Sequence, residues 1–196
     1  MALAALVIVS CSKEDQNEWQ TQSAAQTVAS AADAKTVYTS CGSIPADLNV
    51  PEGNKLLLTA YATGVQIYQV RRNPVDPNVF EWVNTAPAAT LYAKPDFTNL
   101  LGTHYKGPSW EFSKGVFKDE KVVAAKQKGV IVDATAVPWL LLKAVDSLSS
   151  PGNKVTYIQR VCTTGGLLPA TIPSESNLGQ LDSIPYTANY LFYIKD

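Results

Sequence analysis

KLLLTAYA at Lys55–Ala62, followed after Thr63 by GVQIYQV at Gly64–Val70, is the stretch that decides the fold class. Both runs are apolar and rich in branched and aromatic residues, so each reads as a β-strand. With Thr63-Gly64 between them they read as a hairpin in which Val65, Ile67 and Val70 pack inward. Further strands are expected at Phe80–Val83, Thr90–Tyr92, Trp110–Phe112, Val122–Ala125, Val130–Asp133, Trp139–Ala144, Val155–Val161 and Tyr190–Ile194. Turn formers punctuate them at Asn73-Pro74, Asp76-Pro77, Lys94-Pro95-Asp96, Lys106-Gly107-Pro108, Lys128-Gly129, Pro151-Gly152-Asn153 and Gly165-Gly166.

Short strands at such regular spacing predict an all-β domain, mainly antiparallel, built as a sandwich or a barrel. Pro138-Trp139-Leu140-Leu141-Leu142 is too uniformly apolar for a half-exposed strand and is either a fully buried strand or one short core helix. The long helical patterns that a doubly wound α/β domain needs between strands are missing.

Outward from this core, the chain begins MALAALVIVSC. An apolar run that stops at Ile8-Val9-Ser10-Cys11 reads as the cleavage and lipidation site of a bacterial lipoprotein, with small residues giving a peptidase access to the backbone before the thiol. A spanning helix needs about 20 apolar residues, and Ser12-Lys13-Glu14-Asp15 ends this run at once. No Lys or Arg precedes the apolar run, which suggests a true start further upstream. Several acyl chains on Cys11, at about 0.8 kcal/mol per buried methylene, would make the membrane a durable partner. Ser12-Lys13-Glu14-Asp15 also resembles the lysine-plus-acidic signal that exports lipoproteins of some Gram-negative groups to the outer face of the outer membrane. The expected location is therefore the outer membrane, with the domain facing the periplasm or the cell surface.

The expected organisation is a signal over residues 1–11, a flexible polar tether over 12–38 and a single domain over 39–196. The tether is rich in Ala, Gln, Ser and Thr, and some 25 flexible residues reach about 25–30 Å. The formal net charge of −1 over 196 residues argues against a nucleic-acid partner. With Cys11 assigned to lipid, Cys41 and Cys162 remain. An exported protein meets an oxidising compartment, where a bridge closing a loop of about 120 residues would contribute up to about 4–5 kcal/mol. The alternative is two buried free thiols.

The segment GTHYKGPSWEF at Gly102–Phe112 holds the sole histidine, His104. Together with GVQIY at 64–68, PWLLL at 138–142, IQRVCTTGG at 158–166 and YTANYLFY at 186–193, it resembles the family catalogued as domain of unknown function 3455. The resemblance runs over roughly Ile44 to Tyr193 and implies an exported protein with no established activity. Relatives often carry a cysteine where this chain has Val70, and another soon after Gly165-Gly166, which leaves Cys41 with Cys162 as a private pairing. Some relatives bear a malate dehydrogenase label. No G-x-G-x-x-G turn is present here to approach a pyrophosphate, so no nicotinamide cofactor, nor any other, is expected.

Three site readings follow. A hydrolase would use His104 as base, Glu111 or Asp96 to orient it and Ser109 as nucleophile, although no G-x-S-x-G elbow accompanies them. A binding surface would present Trp82, Trp110 and Tyr105, with Tyr68 and Tyr92, to a glycan, with Glu81 and Glu111 as polar partners. In a strand, sequence neighbours point to opposite faces, so a buried Trp in Glu81-Trp82 or Trp110-Glu111 leaves its Glu exposed. One histidine and two distant cysteines match no compact metal spacing. The sequence therefore favours a lipid-anchored, non-catalytic binding or structural module with a glycan or protein partner at the envelope.

Overall fold

Long alternating segments leave each main strand with one face suited to a core, and the chain buries those faces by closing a single sheet on itself. The computed structural model describes residues 38–196. The expected signal, Cys11 and nearly all of the tether lie outside the described residues. A small hairpin, β1 (Tyr38–Thr39) with β2 (Gly42–Ser43), precedes the barrel. The barrel strands are β3 (Asn54–Arg72), β4 (Phe80–Tyr92), β5 (Leu100–Tyr105), β6 (Ser109–Phe112), β7 (Lys121–Val130), β8 (Trp139–Ala144), β9 (Val155–Gly165) and β10 (Leu181–Lys195). Each pairs antiparallel with the next, and β10 closes on β3. The fold is all-β, and of the two expected architectures it is the barrel.

Several expectations are corrected. Thr63-Gly64 is no turn, because β3 runs unbroken for 19 residues. Gly64 is there for closeness rather than for a bend: a Cβ would run into the Ala88 carbonyl oxygen of the neighbouring strand. The buried face of β3 is Gln66, Tyr68 and Val70, while Val65 and Ile67 are only half-buried on the other face. Phe80–Val83 and Thr90–Tyr92 are one strand, β4, in which a register shift opposite Ile67/Tyr68 changes which residues face inward. Val130 ends β7, and Ile131–Asp133 lie beyond it. Leu100–Tyr105 is a strand that was not expected. Pro138–Leu142 forms no helix, since Trp139 opens β8. Among the described residues the only helical pieces are four 3₁₀ turns.

In such a meander the connections alternate between the two ends. Residues 73–79, 106–108, 131–138 and 166–180 gather at one end, called the mouth here, and 93–99, 113–120 and 145–154 at the base. The base is packed solid with apolar side chains: Phe112 lies 5.3 Å from both Phe117 and Phe192, ring centre to ring centre. Phe117 enters from the 3₁₀ turn Gly115–Phe117. Outside the barrel, Ile44 and Leu48 cover Trp139, Leu141, Val161, Leu191 and Tyr193. A disulfide between Cys41 and Cys162, with Cα atoms 5.6 Å apart, pins this strap. Gln159 holds it too, donating to the Leu48 carbonyl oxygen (2.6 Å) while accepting from the Tyr193 hydroxyl (2.6 Å).

Candidate functional site

Eight strands enclose a space that side chains just fill or that holds one small ligand. Here both occur, at opposite ends. Above the phenylalanine-filled base a cavity of about 200 Å³ remains, and residues of every barrel strand line it. Gln66, His104, Trp110, Leu142 and Tyr190 are its buried residues, and its rim carries the exposed Asn84, Pro108 and Lys126.

Its polar groups are arranged by the hairpin and by short side-chain bonds. His104 and Trp110 face each other across the β5–β6 ladder, and their rings stack at 4.4 Å and 10°. Tyr190 meets both edge-on, at 4.9 and 5.4 Å. His104 Nδ1–H donates to the Ser109 carbonyl oxygen (2.9 Å), since a carbonyl can only accept; this leaves Nε2 as the lone-pair nitrogen. Burial holds the imidazole neutral, pushing its pKa down to about 3; the Ser109 bond opposes this and the Arg160 charge adds to it. Tyr190 is likewise held neutral, its pKa raised by burial.

Asn84 Nδ2 donates to Gln66 Oε1 (2.9 Å) and so fixes the Gln66 amide. Gln66 Nε2 then faces the Tyr186 hydroxyl closely enough to favour its ionised form, yet meets no acceptor within hydrogen-bond geometry among the described residues. Trp110 Nε1 is also buried with no hydrogen-bond partner among the described residues. Arg160 donates through Nε and Nη2 to the Pro138 carbonyl oxygen, at 3.1 and 2.8 Å. Gly166 closes one flank: its backbone has φ of +75°, and a Cβ there would press on Tyr186 and Gln66.

The hydrolase residues do not assemble. His104 faces the interior with a backbone carbonyl on Nδ1, where a triad needs a carboxylate. Glu111 is exposed and accepts from the Tyr105 hydroxyl (2.8 Å). Ser109 Oγ turns to the Gly107 carbonyl oxygen (3.3 Å), and Asp96 sits in the exposed 93–99 connection at the base, bonded to Thr98.

The aromatic surface is also dispersed. Trp110 is wholly buried, Trp82 is 8 % exposed with its indole N–H given to the Thr171 carbonyl oxygen (2.7 Å), and Tyr105 is tied to Glu111. Of the expected site residues, His104 and Trp110 alone line the mouth cavity.

Gln66, Asn84, Lys126, Arg160 and Tyr190 are functional candidates that sequence reasoning missed. Arg160 carried a signal, because strand alternation puts this charged residue on the same face of β9 as the buried Ile158. Among the described residues, no group of three or more His, Cys, Asp and Glu side chains is placed to hold a metal ion.

The family described as "Protein of unknown function (DUF3455)" matches residues 51–194 of the chain. No curated protein and no solved structure matches it.

Proposed function

The chain belongs to that uncharacterised family, whose description carries no activity, and from the site geometry we propose that the domain is a non-catalytic ligand-binding barrel. It takes a small molecule into the mouth cavity and is held at the outer cell envelope by lipid on Cys11. One observation carries the binding reading: an interior cavity is lined by two buried donors, Gln66 Nε2 and Trp110 Nε1, that have no hydrogen-bond partner among the described residues. An unmet buried donor costs about 1–3 kcal/mol, and a bound ligand is the means of offsetting that cost which also explains the open mouth. The envelope reading draws support from the apolar run ending at Cys11 and from the disulfide, which suits an oxidising compartment.

The test is a screen of small organic acids, amines, alcohols and sugars by chemical-shift perturbation on the isotopically labelled full chain. Hits are expected to move the signals of Gln66, His104, Trp110 and Arg160 together, and to vanish when Leu140→Phe fills the cavity. Hits that map elsewhere on the barrel, or a screen without a hit, would overturn the reading.

A further inference from the structure

The polar groups around the mouth cavity include several donors that meet no acceptor among the described residues, beside the acceptor nitrogen His104 Nε2, and its two formal charges have the same sign. Arg160 spends Nε and Nη2 on Pro138 and makes no hydrogen bond through Nη1 among the described residues. Lys126 stands on the rim with neither a hydrogen bond nor an ion pair among them. Gln66 Nε2 and Trp110 Nε1 add two more donors without acceptors. Gln66 Oε1 is already taken by Asn84, and no Asp or Glu lines the space. Beside His104 and Tyr190, the wall is apolar at Pro87, Pro108, Leu140, Leu142 and the Trp110 ring.

This inference rests on the reading of the cavity as a ligand site. We propose that its ligand is a small monocarboxylate with a compact apolar body, of about the size of benzoate, bound with its carboxylate toward Arg160 and Lys126. Three features converge on that chemistry. A guanidinium without a carboxylate partner matches the planar pair of oxygens in a carboxylate, and charge-assisted bonds of this kind are about twice as strong as neutral ones. The apolar wall favours a body that needs no hydrogen bonds. The volume of about 200 Å³ equals six or seven waters at roughly 30 Å³ each, too little for an oligosaccharide or a nucleotide.

Titration calorimetry on the full chain compares benzoate with benzamide, benzyl alcohol and inorganic phosphate. Benzoate is expected to bind about tenfold or more tighter than benzamide, the size of one charge-assisted hydrogen bond. Arg160→Gln should weaken benzoate by a similar factor. Lys126→Gln, on the exposed rim where folding is not at stake, should weaken it by a few fold and flatten its salt dependence. Benzamide binding as tightly as benzoate, phosphate displacing benzoate at equal concentration, or no effect of either charge substitution would overturn the carboxylate assignment while leaving the cavity reading intact. Benzoate binding that survives Leu140→Phe would place the site elsewhere and overturn both.

Discussion

Acidification from pH 7 to pH 5 is expected to destabilise the domain by about 2 kcal/mol, and the loss should trace to one side chain. His104 is 4 % exposed, and burial lowers its pKa from 6.5 to about 3. Over that interval the unfolded chain takes up a proton that the folded chain refuses, so stability is fully present above about pH 6.5 and is lost as pH falls toward 3. The slope approaches about 1.4 kcal/mol per pH unit once the unfolded histidine is mostly protonated. Integrated from pH 7 to 5 this gives about 2 kcal/mol, or roughly 4–8 °C in Tm for a chain of this size.

The chain has a single histidine, so no other imidazole contributes to the slope. Carboxylates such as Asp96 and Asp133, whose pKa values are lowered by hydrogen bonds from Thr98 and Thr135, titrate below this window. Urea unfolding at pH 7, 6 and 5 is the assay, on the parent and on His104→Asn, whose amide retains a donor for the Ser109 carbonyl oxygen. The variant should be less stable at pH 7, and its deficit should shrink by about 2 kcal/mol at pH 5. Parallel pH profiles for the two proteins, or an NMR titration of the His104 ring near 6.5, would refute the reasoning.

Other substitutions probe separate parts of the structure. Reduction of the Cys41–Cys162 bridge, which spans 121 residues, should cost about 3–5 kcal/mol in urea unfolding and speed hydrogen exchange at Ile44 and Leu48 before the barrel strands. Gly64→Ala drives a methyl group into the Ala88 carbonyl oxygen and should cost about 2 kcal/mol or more; a neutral result by the same assay would show that β3 and β4 are not so closely apposed. Gln66→Leu removes an unpartnered buried amide N–H and should raise the stability of the ligand-free protein by about 1 kcal/mol while abolishing binding in the mouth cavity. Cys11→Ser should move the protein from the membrane fraction to the soluble one, and mass spectrometry should find acyl chains on Cys11 of the parent; an unmodified, membrane-bound Cys11 would sink the anchor.

Strand content was legible because apolar alternation and turn residues act locally. Trp139–Ala144 is a strand with the expected bounds, and the family resemblance read from separate motifs corresponds to the match over residues 51–194. What could not be read was the inward face at the mouth. Hydrophobicity selects Val65 and Ile67 as the inner pair of β3, yet Gln66 and Tyr68 occupy the interior. The usual inference fails there because the upper interior is itself polar, and departures from local pattern are expected where function constrains a residue. The bulge in β4 added a second failure: it carries Asn84 and Pro87, which differ in parity, to the same cavity.

GTHYKGPSWEF held the right residues for the wrong reason. Its histidine, serine and glutamate suggested catalysis by proximity in sequence, but strand alternation sends Glu111 outward and Trp110 inward. Its contribution is instead the stacked His104–Trp110 pair, which forms part of the cavity wall.

The contrast between the two ends of one barrel is what argues for a ligand. At the base, Phe112, Phe117 and Phe192 fill the interior with no polar atom at issue. The same β6 and β10 strands then supply Trp110 and Tyr190 to the mouth, where Gln66 and Arg160 join them. A stability-driven sequence would extend the apolar packing upward, since replacing a partly satisfied polar cluster by well-packed apolar side chains is commonly neutral or favourable. Leaving two buried donors unmet beside an uncountered guanidinium sacrifices stability in one place, and that place is also where the barrel stays open. The conjunction of an open end, unmet donors and uncountered positive charge is the arrangement that an acceptor-bearing anion would complete.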